Sequence, residues 1–436
     1  MEKKEFERRR RRLMKEMGDN SIAILPTAPE QQRNRDVDYP YRPDSDFYYL
    51  TGFPEPEAVM VLVPGRRHGS YILFCRERDP RMETWNGRRA GLDGAVEAYG
   101  ADDAFPISDI DDILPGLLEN RDRVYYAMGC HAEFDAQVME WVNRLRKKAR
   151  AGVHTPGEFV DLDHLLHDMR LYKSAAEQRM MRQAARISSS AHCRAMAASR
   201  PGMWEYQIEA ELLHEFMRHG ARSPAYPSIV GGGENGCILH YTENDSRLND
   251  GDLLLIDAGC EQECYASDIT RTFPVNGRFS KEQRALYELV LEANRAAIAQ
   301  VKPGNHWNRP HEAAVKVLTR GLVKLGLLKG EPATLIKKET YRRFFMHRTG
   351  HWLGMDVHDV GDYKIGDQWR VLEPGMTLTI EPGLYIPAGS KGVAKKWWNI
   401  GIRIEDDVLV TKAGCEVLTD GAPKDPDEIE ALVGTG

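Results

Sequence analysis

The sequence predicts two domains of different class, an α/β domain over residues 1–172 and an α+β domain over 173–436. Three observations carry this. At 436 residues the chain exceeds what one hydrophobic core ordinarily serves. In the first third, short apolar runs alternate with helical periodicity, as in an α/β sheet. Beyond residue 172 long amphipathic helices alternate with strand pairs, and acidic residues sit inside apolar, strand-like runs. These are Asp257 in LLLIDAGC, Asp268 in YASDITRTF, Glu381 in TLTIEPGLY and Glu405 in IGIRIEDDVLV.

Taken in order, MEKKEFERRRRRLMKEM reads as an amphipathic helix. Phe6, Leu13 and Met17 lie on one side, and Arg8 to Arg12 form a solvated basic face. SIAILP, AVMVLVPG, YILFCRE and VYYAMG read as buried strands, and Phe134–Arg150 as a helix. AGVHTPGEFVDL is polar with Gly and Pro and reads as a connector, which puts the domain boundary near residue 172. Ser174 and Glu177 form a capping-box signature that opens a long helix. Further helices are expected over 204–219, 281–301 and 309–327. Asp252–Asp257 and Ala266–Pro274 read as strands joined by the turn EQECYAS, a hairpin that would bring Asp257 and Asp268 together. Near the C-terminus the two-residue pleat points Arg403 and Glu405 to the same face.

Composition narrows the classes. A net charge of −7, from 59 basic and 66 acidic residues, gives no general attraction to nucleic acid. No stretch approaches the roughly 18 apolar residues of a membrane span, and the N-terminus lacks the apolar core of a signal peptide. Seven cysteines without framework spacing suggest free thiols and a cytoplasmic setting.

Each candidate has an ordinary reading when taken alone. An acid at a strand end is often a turn-former or a cap, Pro382-Gly383 is a common strand-to-turn junction, and His351 could be a core histidine. Together they point to metal, because carboxylates are almost never buried unless paired or cation-bound. Asp257, Asp268, His351, Glu381 and Glu405 form an oxygen-rich set with one imidazole. Such a set suits two divalent ions, with Mn²⁺, Co²⁺ or Zn²⁺ all acceptable. His240, His347 and His358 form a second layer able to hold a carbonyl and pass a proton. HExxH zinc chemistry is excluded, since Arg348 follows His347. Gly231 to Gly236 satisfies G-x-G-x-x-G, but it leads into the strand-like CILHYTEN rather than a helix, so a turn bordering a cleft is the better reading. Cys260 and Cys264 lack a second pair and read as bystanders.

With these residues in place, the chain resembles the aminopeptidase P (Xaa-Pro aminopeptidase) branch of the pita-bread metallopeptidase family. The resemblance rests on YPYRPDSDFYYLTGFPEPEAV, HGARSPAYPSIVGGGENGCILHYTEN, LLLIDAGCEQECYASDITRTFPVNGRF, HWLGMDVHDVGDY, LEPGMTLTIEPGLY and GIRIEDDVLVT, and so spans both domains. It implies an α/β N-terminal domain on a pita-bread catalytic domain that removes the first residue from peptides with proline second. Asp257 would bind one metal, Asp268 and Glu405 would bridge, and His351 and Glu381 would complete the second. Mn²⁺ is the expected ion. Glu381 resembles the general base, His240 and His358 the histidines that contact substrate and assist proton transfer, and Arg403 an arginine beside the site. Tyr226 and His347 match the lining of the proline pocket. Trp85 matches an aromatic supplied by a neighbouring subunit, and Asp36 the acid that receives the substrate amine. A homodimer or homotetramer follows from shared residues.

Two departures stand out. Arg348-Thr349-Gly350 puts a bulky cation where other members can be smaller, which bears on peptide length. The loop Pro387–Asn399 is left unmatched by the resemblance, and its basic residues with Trp397 and Trp398 either wall the cleft or pack elsewhere. The competing readings are a prolidase, which requires a dipeptide's carboxylate, a methionine aminopeptidase, and a non-enzymatic pita-bread binding module. The last should lack ligands, and all five are present.

Overall fold

The apolar runs of the first third pair into one sheet because their β-branched and aromatic residues need covered faces. Its 6 strands lie in the order Asp103–Pro106, Tyr71–Cys75, Val59–Leu62, Ser21–Pro26, Arg123–Tyr125, Glu158–Val160. The three inner strands Tyr71–Cys75, Val59–Leu62 and Ser21–Pro26 pair antiparallel, and the outer ones join them in parallel. Leu114 and Leu118 of the helix Ile110–Leu118, with Val138 and Trp141 of Ala132–Arg146, pack onto Ile22, Ile24 and Phe74. The computed structural model describes residues 1–436, and the chain divides into the units Met1–Met169 and Arg170–Gly436.

Two expectations change in this first unit. AGVHTPGEFVDL is not only a connector, since Glu158–Val160 is the edge strand beside Arg123–Tyr125. Pro156 and Gly157 mark the entry to a strand too short to betray itself. Nor is the arginine run of the helix Lys3–Met17 wholly solvated, because Arg9 and Arg10 are buried. Their guanidinium groups donate to the carbonyls of Tyr49 (2.9 Å) and Leu50 (2.7 Å), at the end of the helix Ser45–Thr51. The last carbonyls of a helix have no partner within it, so two arginines supply the missing donors. They also stack on the rings of Tyr49 and Tyr71, at 4.0 Å and 3.9 Å. Arg8, Arg11 and Arg12 behave as expected, in ion pairs with Glu5, Glu7 and Glu16.

In the second unit the capping box forms: Ser174 accepts from the Glu177 amide while Glu177 accepts from the Ser174 amide, opening the helix Ala175–Ala198. Helices Glu205–Arg218, Lys281–Ile298 and Arg309–Lys324 follow. They pack through one apolar core that includes Leu212, Leu286, Leu318 and the strand residues Leu254, Ile380 and Ile402. Leu253–Asp257 lies between Ile229–Gly232 and Thr270–Pro274, all antiparallel. Thr377–Ile380 pairs with Asp406–Thr411, and Gly383–Ile386 with Ile400–Arg403.

The hairpin expected around EQECYAS is more elaborate. Asp257 pairs with Thr270, but the chain between makes a side excursion, Cys260–Gln262 against Tyr265–Ala266. Ala266–Pro274 is therefore broken, and Asp268 sits in the connection. The crossing of the two limbs is so close that a Cβ on Gly259 would strike the carbonyl of Ser267, so only glycine fits.

A buried ion cluster braces the segment between His351 and Asp359. Asp359 accepts from Arg170 (2.6 Å) and Lys173 (2.8 Å), and its own amide donates to the Trp352 carbonyl. Burial would push its carboxyl up, but Lys173 and Arg170 outweigh that and hold it below the usual carboxylate range. A depressed pKa contributes stability above the unfolded value of about 3.9 and loses it as pH falls through the folded value. Asp359→Ala leaves two buried cations short of a partner and should cost about 3–5 kcal/mol near neutral pH. Denaturant unfolding should find that deficit shrinking below about pH 4; a pH-independent deficit would contradict the assignment.

Candidate metal centre

Strand register and one tight crossing gather the site. Thr349 and His351 run beside the strand Thr377–Ile380: the Thr379 amide donates to the His351 carbonyl, and the Glu381 amide to that of Thr349, both at 2.9 Å. A Cβ on the intervening Gly350 would collide with the Thr379 carbonyl, so glycine lets the imidazole and Glu381 share one wall. Behind these strands Asn294, buried on Lys281–Ile298, donates to the carbonyls of Ile380 (3.1 Å) and Ile404 (3.3 Å), each just before a site glutamate. The buried Arg271 donates to the Glu405 carbonyl (2.6 Å) and pairs with Asp406 (2.8 Å).

The five expected ligands converge on one cleft of about 410 Å³, also lined by His240, His347, His358, Tyr226 and Arg403. Ligand atoms of Asp268, His351 and Glu405 all lie within 4.8 Å of one another. His351 donates through Nδ1 to the Trp352 carbonyl (2.9 Å), which turns Nε2 toward Asp268 Oδ2 at 3.4 Å and Glu381 Oε1 at 3.9 Å. Tyr226 sets its hydroxyl between Asp257 Oδ1 (2.6 Å) and Asp268 Oδ1 (2.5 Å). One hydroxyl proton cannot serve both acceptors at once, so the two carboxylates compete for it. Asp257 is raised by burial and, against Arg403, by the charge of Asp268, whereas Asp268 is lowered because His351 outweighs its burial.

Arg403 is buried and fully engaged. It donates to Asp257 Oδ2 (2.5 Å), Thr270 Oγ1 (3.0 Å) and the Tyr385 hydroxyl (2.9 Å). Thr270 in turn donates to Glu405 Oε2 at 2.6 Å. Tyr385 meets His347 Nε2 at 2.9 Å, while His347 Nδ1 faces the Arg348 carbonyl at 2.6 Å. Sequence reading missed Thr270, Tyr385 and Asn294. Only Thr270 left a signal, lying two residues from Asp268 and so on the same side of an extended chain.

Protonation follows from burial among like charges. Burial pushes Glu381 up to about 7, with Asp268 and Asp257 adding to the effect against His351 and Arg403. Glu405 is raised well above the carboxylate range by burial and by Asp268, Asp257 and Glu381. Burial works against a charged His351, but the hydrogen bond and charge of Asp268 outweigh it and push the imidazole up to about 9. His347 is pushed down to about 3 by burial and Arg403, and His358 is lowered by burial and His351, so both are neutral at pH 7. Carboxylates that hold protons this tightly are ones that divalent cations would displace protons from, so the donor set fits metal.

Two expected residues lie in the other unit. Asp36 is exposed at the tip of the hairpin Gln32–Asn34 and Val37–Asp38. Trp85, on the helix Pro80–Asn86, is 80% exposed. Gly231–Gly236 forms no nucleotide loop, and none of it is among the residues lining the cleft: the strand Ile229–Gly232 enters a 3₁₀ turn, Gly233–Cys237. CILHYTEN, expected as strand-like, continues as turns and irregular chain, because Asn244 spends its side chain on the Val230 amide and the Ser228 carbonyl. All seven cysteines are free, Cys260 and Cys264 included.

A cluster of buried acids and one histidine on a paired-strand scaffold defines a metal-dependent hydrolase centre. The chain belongs to metallopeptidase family M24, whose model matches residues 179–412, and the aminopeptidase P N-terminal domain matches 6–126. It is 49% identical over 432 residues to the Xaa-Pro aminopeptidase of Escherichia coli (strain K12), covering 99% of this chain and 98% of that protein. Among solved structures, Pseudomonas aeruginosa aminopeptidase PepP matches with a TM-score of 0.98 at 65% identity, over 99% of this chain and 98% of that one. Zinc-substituted Escherichia coli aminopeptidase P in complex with product matches at 0.96 and 49%, with the same coverage. The fold is thus the α/β and pita-bread pair.

Protons compete with cations for Glu381 and Glu405, so metal affinity should weaken as pH falls below about 7. Calorimetric titration of chelated protein in buffers of different ionisation enthalpy should detect proton release on loading. Affinity that is flat from pH 6 to 8 would contradict this account.

Proposed function

We propose that this chain is a dinuclear metal-dependent exopeptidase that releases the N-terminal residue from peptides with proline second. The observation that carries the reading is the convergence of Asp268, His351 and Glu405 in one cleft with Asp257 and Glu381. Full-length similarity to an Xaa-Pro aminopeptidase supports the substrate class. Asp257, Asp268, His351, Glu381 and Glu405 would hold two ions, with Mn²⁺ favoured and Co²⁺ or Zn²⁺ suited to the same donors. When bound, the ions supply a Lewis acid for the scissile carbonyl and a water acidic enough to attack near neutral pH.

The remaining work falls to side chains. Glu381, 3.7 Å from His347 and 3.9 Å from His351, lines the cleft where a proton would be accepted and returned. His358, whose ring centre lies 4.3 Å from that of His351, stays neutral and can donate to the substrate carbonyl oxygen. His240, exposed on the same cleft, is positioned to serve the leaving nitrogen. Arg403 holds Asp257 in place from behind. Tyr226 and His347 form the proline side of the cleft. Asp36 and an exposed Trp85 suit roles completed by an oligomer, a homodimer or homotetramer in the cytoplasm. No helix is long and apolar enough to cross a membrane.

The test is hydrolysis of an Xaa-Pro-Xaa tripeptide, an Xaa-Pro dipeptide and a Met-Ala-Xaa tripeptide after chelation, with and without Mn²⁺. Mn²⁺-restored cleavage of the proline tripeptide alone is expected. Preference for the dipeptide would mean a prolidase, and methionine release a methionine aminopeptidase. Silence on all three from folded, metal-loaded protein would favour a binding module. His358→Ala should lower kcat roughly 10²–10⁴-fold while metal content stays intact; loss of metal in that variant would move His358 among the ligands.

A further inference from the structure

Arg348 lines the same cleft as Glu381 and His358. His347, one residue before it, lies 3.7 Å from Glu381 and is held by the Tyr385 hydroxyl. If proline sits against His347, the next residue of an extended peptide lies about 3.3–3.6 Å further on. Arg348 lines the same cleft as His347, so a residue one step beyond proline can meet it there.

The guanidinium there is held but not neutralised. Arg348 donates to the side-chain oxygen of Asn308, a neutral acceptor, and lies 5.3 Å over the ring of Trp369. Lys364 approaches the same ring at 4.6 Å and adds a second cation to this rim. No carboxylate lies within 4.0 Å of Arg348. The acids whose fields reach it, Glu312 and Glu339, are already taken up by Arg309 (3.2 Å) and Arg342 (3.5 Å). An arginine fixed through one nitrogen and one ring face keeps its remaining donors in a planar fork, the shape that matches a carboxylate.

We propose that Arg348 binds a carboxylate on the residue that follows proline, so that this enzyme favours short peptides ending there. The inference rests on the peptidase reading and deepens it, naming the part of the leaving peptide that is recognised. The α-carboxylate of a tripeptide and an acidic side chain at the same position offer one chemistry, and the test separates them.

Binding of the product-like dipeptides Pro-Leu, Pro-Leu-amide and Pro-Asp-amide is measured by calorimetry on metal-loaded wild type, Arg348→Ala and Arg348→Lys. The wild type should bind Pro-Leu roughly tenfold more tightly than its amide. R348A should bind the two alike, and R348K, which keeps the charge without the fork, should lie between. Recovery of affinity by Pro-Asp-amide would assign the preference to either carboxylate; no recovery would assign it to the chain terminus alone. Equal affinity for acid and amide in the wild type, or a preference that survives in R348A, would overturn the proposal. The kcat/KM ratio of Xaa-Pro-Leu to its amide should follow the same order. Failure of the wild type to hydrolyse any Xaa-Pro peptide would count against the peptidase reading, while the binding comparison still decides the role of Arg348.

Discussion

Mutual repulsion among carboxylates drawn out of water is the constraint on which the second unit is built. Asp257, Asp268 and Glu405 are buried, and Glu381 lies beside them. Unpaired, such charges would cost several kcal/mol each or take up protons instead. Arg403 offsets one negative charge, Thr270 supplies a donor to Glu405 and Tyr226 one to the two aspartates. The raised carboxyls of Glu381 and Glu405 record the repulsion that remains. The same repulsion that makes the cluster unfavourable for the bare chain gives it affinity for divalent cations.

Holding like charges together also demands a backbone that cannot relax. The strands that carry the two glutamates are tied by the Asn294 amide at the carbonyls of Ile380 and Ile404, and by Arg271 at that of Glu405. Gly350 brings the His351 segment against the Thr379 carbonyl, and Gly259 closes the crossing between the two aspartates. Packing, not local propensity, fixes these distances. The neutral histidines are a product of the same burial: the cleft that raises carboxyl pKa values lowers those of His347 and His358. One desolvated wall therefore sets both the acid and the base chemistry.

The metal candidates were legible because an acid within an apolar strand has few reasons to be there. The helices were legible from periodicity and from the capping pair Ser174 and Glu177. What escaped reading were neutral side chains whose meaning lies in register. Asn294 looks like any residue on an amphipathic helix, and Tyr385 like any strand aromatic. Their roles appear only when strands far apart in sequence are paired. Arg9 and Arg10 misled for another reason: a helical wheel treats arginine as solvated, whereas its stem and flat head can lie against rings and reach unpaired carbonyls. Glu158–Val160 was hidden by brevity, three residues behind a Pro-Gly pair.

The ion cluster around Asp359 bears on how the catalytic half could be excised. Composition invites a cut at residue 172, just before Lys173. Such a fragment would keep Lys173 but discard Arg170, which reaches both Asp356 and Asp359 from 186 and 189 residues away. The loop bearing His358 would then carry an acidic charge balanced by one cation in place of two. The working start of the metallopeptidase unit is therefore defined by a guanidinium rather than by the polar stretch that precedes it.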